Sequence, residues 1–305
     1  MTAMGTDPHN WRELLQDARA ELEAAGVASP DYDARELLAA ALGVDSRTLA
    51  LRFGDVPEPE QVAHFEELIR RRAAREPLQH ILGTMYFRYL ELESVPGVFV
   101  VRPETEMVAQ AGIDFLRGEA RLAASPADSA LIVVDLCSGS GAIALSIATE
   151  MPRTQVYGVE LSPVALESAQ RNNQRYGSPV TFLGGDALAP LPEPLETEIA
   201  GRARLVISNP PYVPTYHELS PEVLADPHQA LFGGGEDGLE FPLALINRAR
   251  TLLAPGGALV MEHASEQSEA LREAALEAGY VAVTTGRDLT GAQRWLFARA
   301  PHENG

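Results

Sequence analysis

Apolar side chains recur at helical spacing over the first eighty or so residues and in short unbroken strand-like runs later, and this change of period divides the chain. Trp11, Leu14, Leu15, Ala18 and Leu22 lie three or four residues apart and stop near Gly26, which predicts a first helix. A second segment, Ala34 to Leu42, ends at Gly43. A third, Glu60 to Arg75, puts Val62, Phe65, Leu68 and Ile69 on one face, and Pro57 and Pro59 separate the two. Residues 1–83 therefore read as a small helical bundle, with Arg70-Arg71-Arg72 as a solvated helix end. Between Thr84 and Val101 the pattern turns aromatic and β-branched around Pro96-Gly97, which predicts a β-hairpin linker over 84–103 that turns at Pro96-Gly97. Arg117 to Ser129 is small and polar and reads as a surface loop or a frayed helix end.

From Ala130 strand and helix alternate. Seven strand-like runs, Leu131–Leu136, Gln155–Glu160, Val180–Leu183, Arg204–Ser208, Ala258–Glu262, Val281–Thr285 and Trp295–Ala298, are joined largely by helical stretches. Alternation of this kind predicts a doubly wound, Rossmann-like α/β sheet, here within a domain over 104–300 followed by a short tail, 301–305.

Composition narrows the chemistry. All 24 basic residues are arginine, so Schiff-base lysines and the P-loop lysine are excluded. The 43 acidic residues give a net charge of −19, which repels phosphate backbones and argues against a nucleic-acid partner. No apolar run approaches the roughly 20 residues needed to span a bilayer. Met1 to Asn10 has no signal-peptide pattern, and the single cysteine, Cys137, excludes an internal disulfide. A cytoplasmic monomer without a membrane partner or a metal site is expected.

The first strand reaches Asp135 and runs into Cys137-Ser138-Gly139-Ser140-Gly141-Ala142. Glycines there let backbone approach a ligand closely and leave helix N–H groups available. The second strand ends in Glu160, placed to accept hydrogen bonds from both hydroxyls of a ribose. Asp186-Ala187, after the third strand, adds a polar group at the same sheet edge, suited to adenine. Together these residues specify a nucleoside-bearing cofactor. Gly139-x-Gly141-x-x-Ala144 by itself also fits a dinucleotide fingerprint.

The fourth strand runs directly into Asn209-Pro210-Pro211-Tyr212. Two prolines fix φ and remove two donors, and Asn209, preceding proline, is held extended. This predicts a stiff pair of acceptors, the Asn209 side-chain oxygen and a backbone carbonyl, that of Pro210. Such a pair suits the two N–H groups of a primary amide or an aromatic amine, turning the nitrogen lone pair towards an electrophilic methyl group. Tyr212 is expected to stack on the planar group. The loop does not choose between amide and base.

With these motifs in place the chain resembles the release-factor glutamine methyltransferases, the PrmC/HemK family, over nearly its whole length. The resemblance is carried by Glu76-Pro77-Leu78-Gln79-His80-Ile81-Leu82-Gly83, by Arg102-Pro103-Glu104-Thr105-Glu106, by Asp135 to Leu145 and by Ser208 to Tyr212, with Glu262-His263 and Gly286-Arg287-Asp288 as further similar elements. It implies a helical bundle and β-hairpin linker before a seven-stranded S-adenosylmethionine-dependent methyltransferase domain. It implies cofactor contacts from Asp135, Cys137, Ser138, Gly139, Ser140, Gly141, Glu160, Asp186, Ala187 and Asn209. It also implies substrate contacts from Arg102, Pro103, Glu104 and Thr105 beside Asn209 to Tyr212. The implied substrate is the glutamine of the Gly-Gly-Gln motif in class I peptide chain release factors, gripped by bundle and catalytic domain. Cys137 stands where the family usually has glycine, and Glu160 where it usually has aspartate. Gly233-Gly234-Gly235 resembles a family loop and otherwise reads as flexible.

Other functions compete. A ribosomal-protein glutamine methyltransferase shares the loop chemistry. A DNA adenine N6-methyltransferase needs a basic target-reading domain, against the charge balance. An NAD(P)-dependent oxidoreductase gives no role to Asn209-Pro210-Pro211-Tyr212, and a non-catalytic release-factor-binding protein gives none to Asn209.

Overall fold

The structure, a computed structural model, describes residues 10–122 and 130–302, so 1–9 and the end of the expected tail, 303–305, lie outside it. The chain divides into two compact units, one of Met1–Thr84 with Ser220–Ala225, the other of Met85–Leu219 with Asp226–Gly305.

The first unit holds α1 (Trp11–Ala24), α2 (Pro30–Leu42), a 3-10 segment (Ser46–Arg52), α3 (Pro59–Ala73) and α4 (Leu78–Leu82). Asn10 caps α1, its Oδ1 accepting from the amides of Arg12 (3.0 Å) and Glu13 (3.1 Å), which satisfies two of the orphan donors at the helix start. Pro30 opens α2, and Gly43 closes it in the left-handed region. Trp11, Leu22, Leu37, Leu38, Leu49 and Phe65 are fully buried between the helices, each worth roughly 1.5–3 kcal/mol of transfer energy. The arginine run is not simply a solvated end. Arg70 and Arg71 pair with Glu67 and Glu76, but Arg72 is buried, bonding Asp33 at 2.7 Å and Glu222 at 2.8 Å. The periodicity of α3 carries Arg72 to the inner face beside Ile69, and two carboxylates neutralise it there.

In the second unit, β1 (Thr84–Phe87) and β2 (Leu90–Glu93) form the hairpin. Its turn lies at Arg88-Tyr89, not at Pro96-Gly97 as the sequence suggests. Arg88 takes φ 53°, held there by Glu106 at its amide (2.8 Å) and by Glu150 at its guanidinium (2.6 Å). Residues 94–104 continue without a strand. Next comes α5 (Thr105–Leu122), so of the two readings from Arg117 the helix end holds as far as Leu122; the rest of that stretch lies outside the described residues.

The main sheet and its helices follow: β3 (Leu131–Leu136), α6 (Ala142–Glu150), β4 (Thr154–Glu160), α7 (Pro163–Arg175), β5 (Val180–Gly184), α8 (Leu195–Ile199), β6 (Ala203–Ser208), α9 (Pro221–Leu224), α10 (His228–Leu231), α11 (Glu240–Leu252), β7 (Leu253–Glu262), α12 (Ser268–Glu277), β8 (Val281–Arg287) and β9 (Gln293–Arg299). The strand order is β5-β4-β3-β6-β7-β9-β8, parallel except for β9, which runs antiparallel to both its neighbours. Alternate residues of each strand feed two cores. Leu205 and Ile207 of β6 join Val108, Ile113 and Leu116 of α5, while Val206 joins Leu245 and Ile246 of α11. The sheet is thus doubly wound, and its order reverses between β3 and β6, where a crevice opens at the carboxyl ends of the strands. Among the described residues no helix is long and apolar enough to cross a membrane.

Candidate active site

The loop after β3 is built on a capped helix. Asp135 is fully buried, and its Oδ2 accepts from the amide of Ala144 (3.1 Å), in the first turn of α6. Burial pushes its carboxyl well above the usual range, against that hydrogen bond. Asp135 therefore supports the loop from beneath with Oδ2, while its Oδ1 is buried without a hydrogen-bond partner. Cys137 follows at φ 65°, the left-handed conformation glycine adopts most readily. Burial, with Glu160 and Asp135 close by, pushes the Cys137 thiol up and keeps it protonated.

Glu160 ties the two strand ends together. One carboxylate oxygen accepts from the amide of Gly139 (2.7 Å) and the other from that of Ser162 (2.8 Å). Burial raises its pKa against these bonds. Each oxygen keeps a lone pair for a further donor. Ser138, Gly139, Glu160, Asp186, Ala187 and Asn209 all line one crevice. Ser138 Oγ is buried there without a partner. Asp186 Oδ1 accepts from the amide of Leu188 (2.9 Å), an Asx turn that presents the crevice with Ala187. Cys137 and Ser140 also lie on its wall, whereas Gly141 caps α6 behind it.

On the opposite wall β6 delivers the second loop. Asn209 and Pro211 line the crevice, with Pro210 buried between them. Asn209 Nδ2 donates to Thr105 Oγ1 (3.2 Å), so its Oδ1 is left available on the crevice side. The Tyr212 hydroxyl donates to Glu262 Oε1 at 2.9 Å. This bond fixes the Tyr212 ring at its hydroxyl end.

The loop backbone is clamped from outside. The amides of Tyr212 and Val213 both donate to the Leu231 carbonyl (3.0 and 2.7 Å), and Gln267 Nε2 donates to the carbonyls of Tyr212 (2.7 Å) and Asp237 (2.8 Å). Gly233 and Gly238 pack so closely that a Cβ on either would meet Gly238 O at 2.0 Å or Tyr212 O at 2.3 Å. The triple-glycine segment therefore serves close backbone approach, where sequence reasoning saw only flexibility.

Of the Arg102-Pro103-Glu104-Thr105 segment, only Thr105 reaches the crevice. Arg102 bonds the buried Asp226 and lies over the Phe99 ring, 5.1 Å from its centroid. Asp226 also accepts from the amide of Val100 (3.0 Å). Asp226 and Gln267 escaped sequence reasoning and Glu262 entered it without a role, since a lone polar residue beside a strand or in a loop carries no local signal of its tertiary partner. Among the described residues no cluster of metal-ligating side chains occurs.

Comparison with known proteins agrees with this geometry. Residues 13–83 match the PrmC N-terminal domain, and residues 127–297 match a methyltransferase domain. The chain is 42% identical to the release factor glutamine methyltransferase of Bifidobacterium longum over 295 residues, 94% of this chain and 98% of that one. It is 41% identical to that of Corynebacterium glutamicum over 94% of this chain and 98% of the other, and 46% identical to that of Streptomyces coelicolor over 83% and 84%. Likeness at this level along nearly the full length of both chains, through both strand-end loops, places the protein in the release factor glutamine methyltransferase family.

Proposed function

We propose that this protein methylates the side-chain amide nitrogen of the glutamine in the Gly-Gly-Gln motif of class I peptide chain release factors, with S-adenosylmethionine as methyl donor. Membership of the family supports the reaction and substrate. The observation that carries it is that Asn209, with its amide held by Thr105, faces the same crevice as Glu160 and Ser138.

The crevice fits the cofactor. The lone pairs remaining on Glu160 suit two ribose hydroxyls, the orphaned Ser138 Oγ suits a polar group of the ligand, and the wall beside Asp186 and Ala187 suits adenine. S-adenosylmethionine supplies a methyl group made electrophilic by its positively charged sulfur.

The chain itself does the orienting. Asn209 Oδ1 and the Pro210 carbonyl each accept one N–H of the substrate amide, which turns the nitrogen lone pair towards the methyl group. The prolines keep both acceptors in place, so little reorganisation opposes the developing positive charge. The charged nitrogen then loses a proton to solvent without a strong base. The helical unit of residues 1–83 grips the release factor.

The reading is tested by incubating the protein with labelled S-adenosylmethionine and, separately, a class I release factor, its Gly-Gly-Gln glutamine-to-alanine variant, ribosomal protein and duplex DNA. Label on the intact release factor alone supports it. Label persisting on the alanine variant, or appearing mainly on ribosomal protein or DNA, overturns it.

A further inference from the structure

Glu262, at the end of β7, is a fully buried carboxylate in the wall behind the Asn209 loop. Its Oε1 accepts the Tyr212 hydroxyl at 2.9 Å. Its Oε2 is buried without a hydrogen-bond partner, and the Thr105 hydroxyl nearby helps to stabilise its charge. A buried carboxylate left partly unpartnered costs stability, and such groups persist where function requires them.

A charged carboxylate only accepts, so the Oε2 lone pairs of Glu262 can take the single hydrogen of the nearby Thr105 hydroxyl. Thr105 Oγ1 then has only lone pairs to offer Asn209. The Asn209 amide must present Nδ2 to Thr105, as observed at 3.2 Å, and direct Oδ1 to the crevice. We propose that Glu262 is a positioning residue of the methyl-acceptor site, fixing through Thr105 which end of the Asn209 amide faces the substrate and through Tyr212 the loop that carries it. This deepens the functional reading above and rests on it.

The groups facing Glu262 make its charge adjustable. Burial raises its pKa to about 7, the Thr105 and Tyr212 hydroxyls oppose that, Glu104 adds to it and Arg294 of β9 opposes it; His263 is its neighbour on the chain, held neutral mainly by burial. A protonated Glu262 can donate to Thr105, which then donates to Asn209 Oδ1 and occupies the acceptor the substrate needs.

The test compares the full chain with its Glu262→Gln, Thr105→Ser and Thr105→Val variants. We expect Glu262→Gln to lower kcat about tenfold or more, with S-adenosylmethionine Kd unchanged and Tm not reduced, since it removes a buried charge while keeping the shape. Wild-type kcat should fall below pH about 7, and that limb should be absent in Glu262→Gln. Thr105→Ser should retain activity and Thr105→Val should not. Wild-type kcat in Glu262→Gln, or an unchanged acid limb, overturns the inference. If the wild type transfers no methyl to the release factor, the functional reading fails. The inference is then judged by the Asn209 side-chain amide NMR signals, which should shift with a midpoint near 7 in the wild type and not in Glu262→Gln; a pH-independent wild-type signal overturns it.

Discussion

Asn209 Nδ2 donates to Thr105 Oγ1 across 3.2 Å, joining the end of β6 to the first residue of α5, 104 positions earlier in the chain. The bond leaves the Asn209 oxygen as a fixed acceptor beside Pro210. Asn209→Ala should therefore lower kcat by about 10²–10³-fold, as loss of one preorganised polar group does elsewhere, with S-adenosylmethionine affinity nearly unchanged. Single-turnover kinetics with calorimetric cofactor titration checks both halves. Substantial kcat in the variant contradicts this account of amide activation.

Glu160 holds the Gly139 loop to the end of β4 while offering lone pairs to the crevice. Glu160→Ala should weaken S-adenosylmethionine binding by about 10–100-fold, the value of one or two hydrogen bonds to a charged group. Glu160→Asp should stay closer to the wild type. Isothermal titration measures both, and an unaffected Kd in Glu160→Ala removes Glu160 from the cofactor site.

Cys137 lies on the crevice wall with a protonated thiol and a φ of 65°. Cys137→Gly should retain activity, because glycine takes that backbone freely and the thiol has no part in the chemistry. The thiol should also alkylate slowly at neutral pH. Inactivity of a folded Cys137→Gly variant contradicts this.

Arg72 joins Asp33 and Glu222 out of solvent, whereas Arg70 pairs with Glu67 at the surface. Arg72→Ala should destabilise the helical unit by about 3–5 kcal/mol, and Arg70→Ala by under about 0.5 kcal/mol. Burial raises the Glu222 pKa, but the bonds from Arg75 and Arg72 outweigh it and hold the carboxyl down to about 2. A depressed carboxylate stabilises the fold above its unfolded pKa. That contribution should fade as pH falls from about 4.5 towards 2. Thermal melts of both variants, and of the wild type across that range, test the assignment; equal effects of the two substitutions contradict it.

The features legible in the sequence are those written in one contiguous stretch. The strand runs, the Gly139 loop, Glu160 at a strand end and Asn209 to Tyr212 each carry their own signal of period, glycine or proline. What escaped depends on distant partners. The hairpin turn at Arg88 exists because Glu106 and Glu150 hold an arginine in a left-handed turn, and nothing local marks it over Pro96-Gly97. At the small, polar end of α5, Glu119 is tied to Arg204 and Arg299, which the local sequence does not announce. The Asp226 partner of Arg102 lies 124 positions on, and nothing local announces it. The Glu262 partner of the Tyr212 hydroxyl lies 50 positions on, and it too has no local signal.

The central claim is that Asn209 presents a glutamine amide for methylation. It is tested most directly by mass-spectrometric mapping of a class I release factor after reaction with the wild-type protein and with Asn209→Ala. The account predicts one added methyl on the side-chain nitrogen of the Gly-Gly-Gln glutamine with the wild type, and essentially none with the variant. A methyl on any other residue, or equal modification by the two proteins, contradicts it.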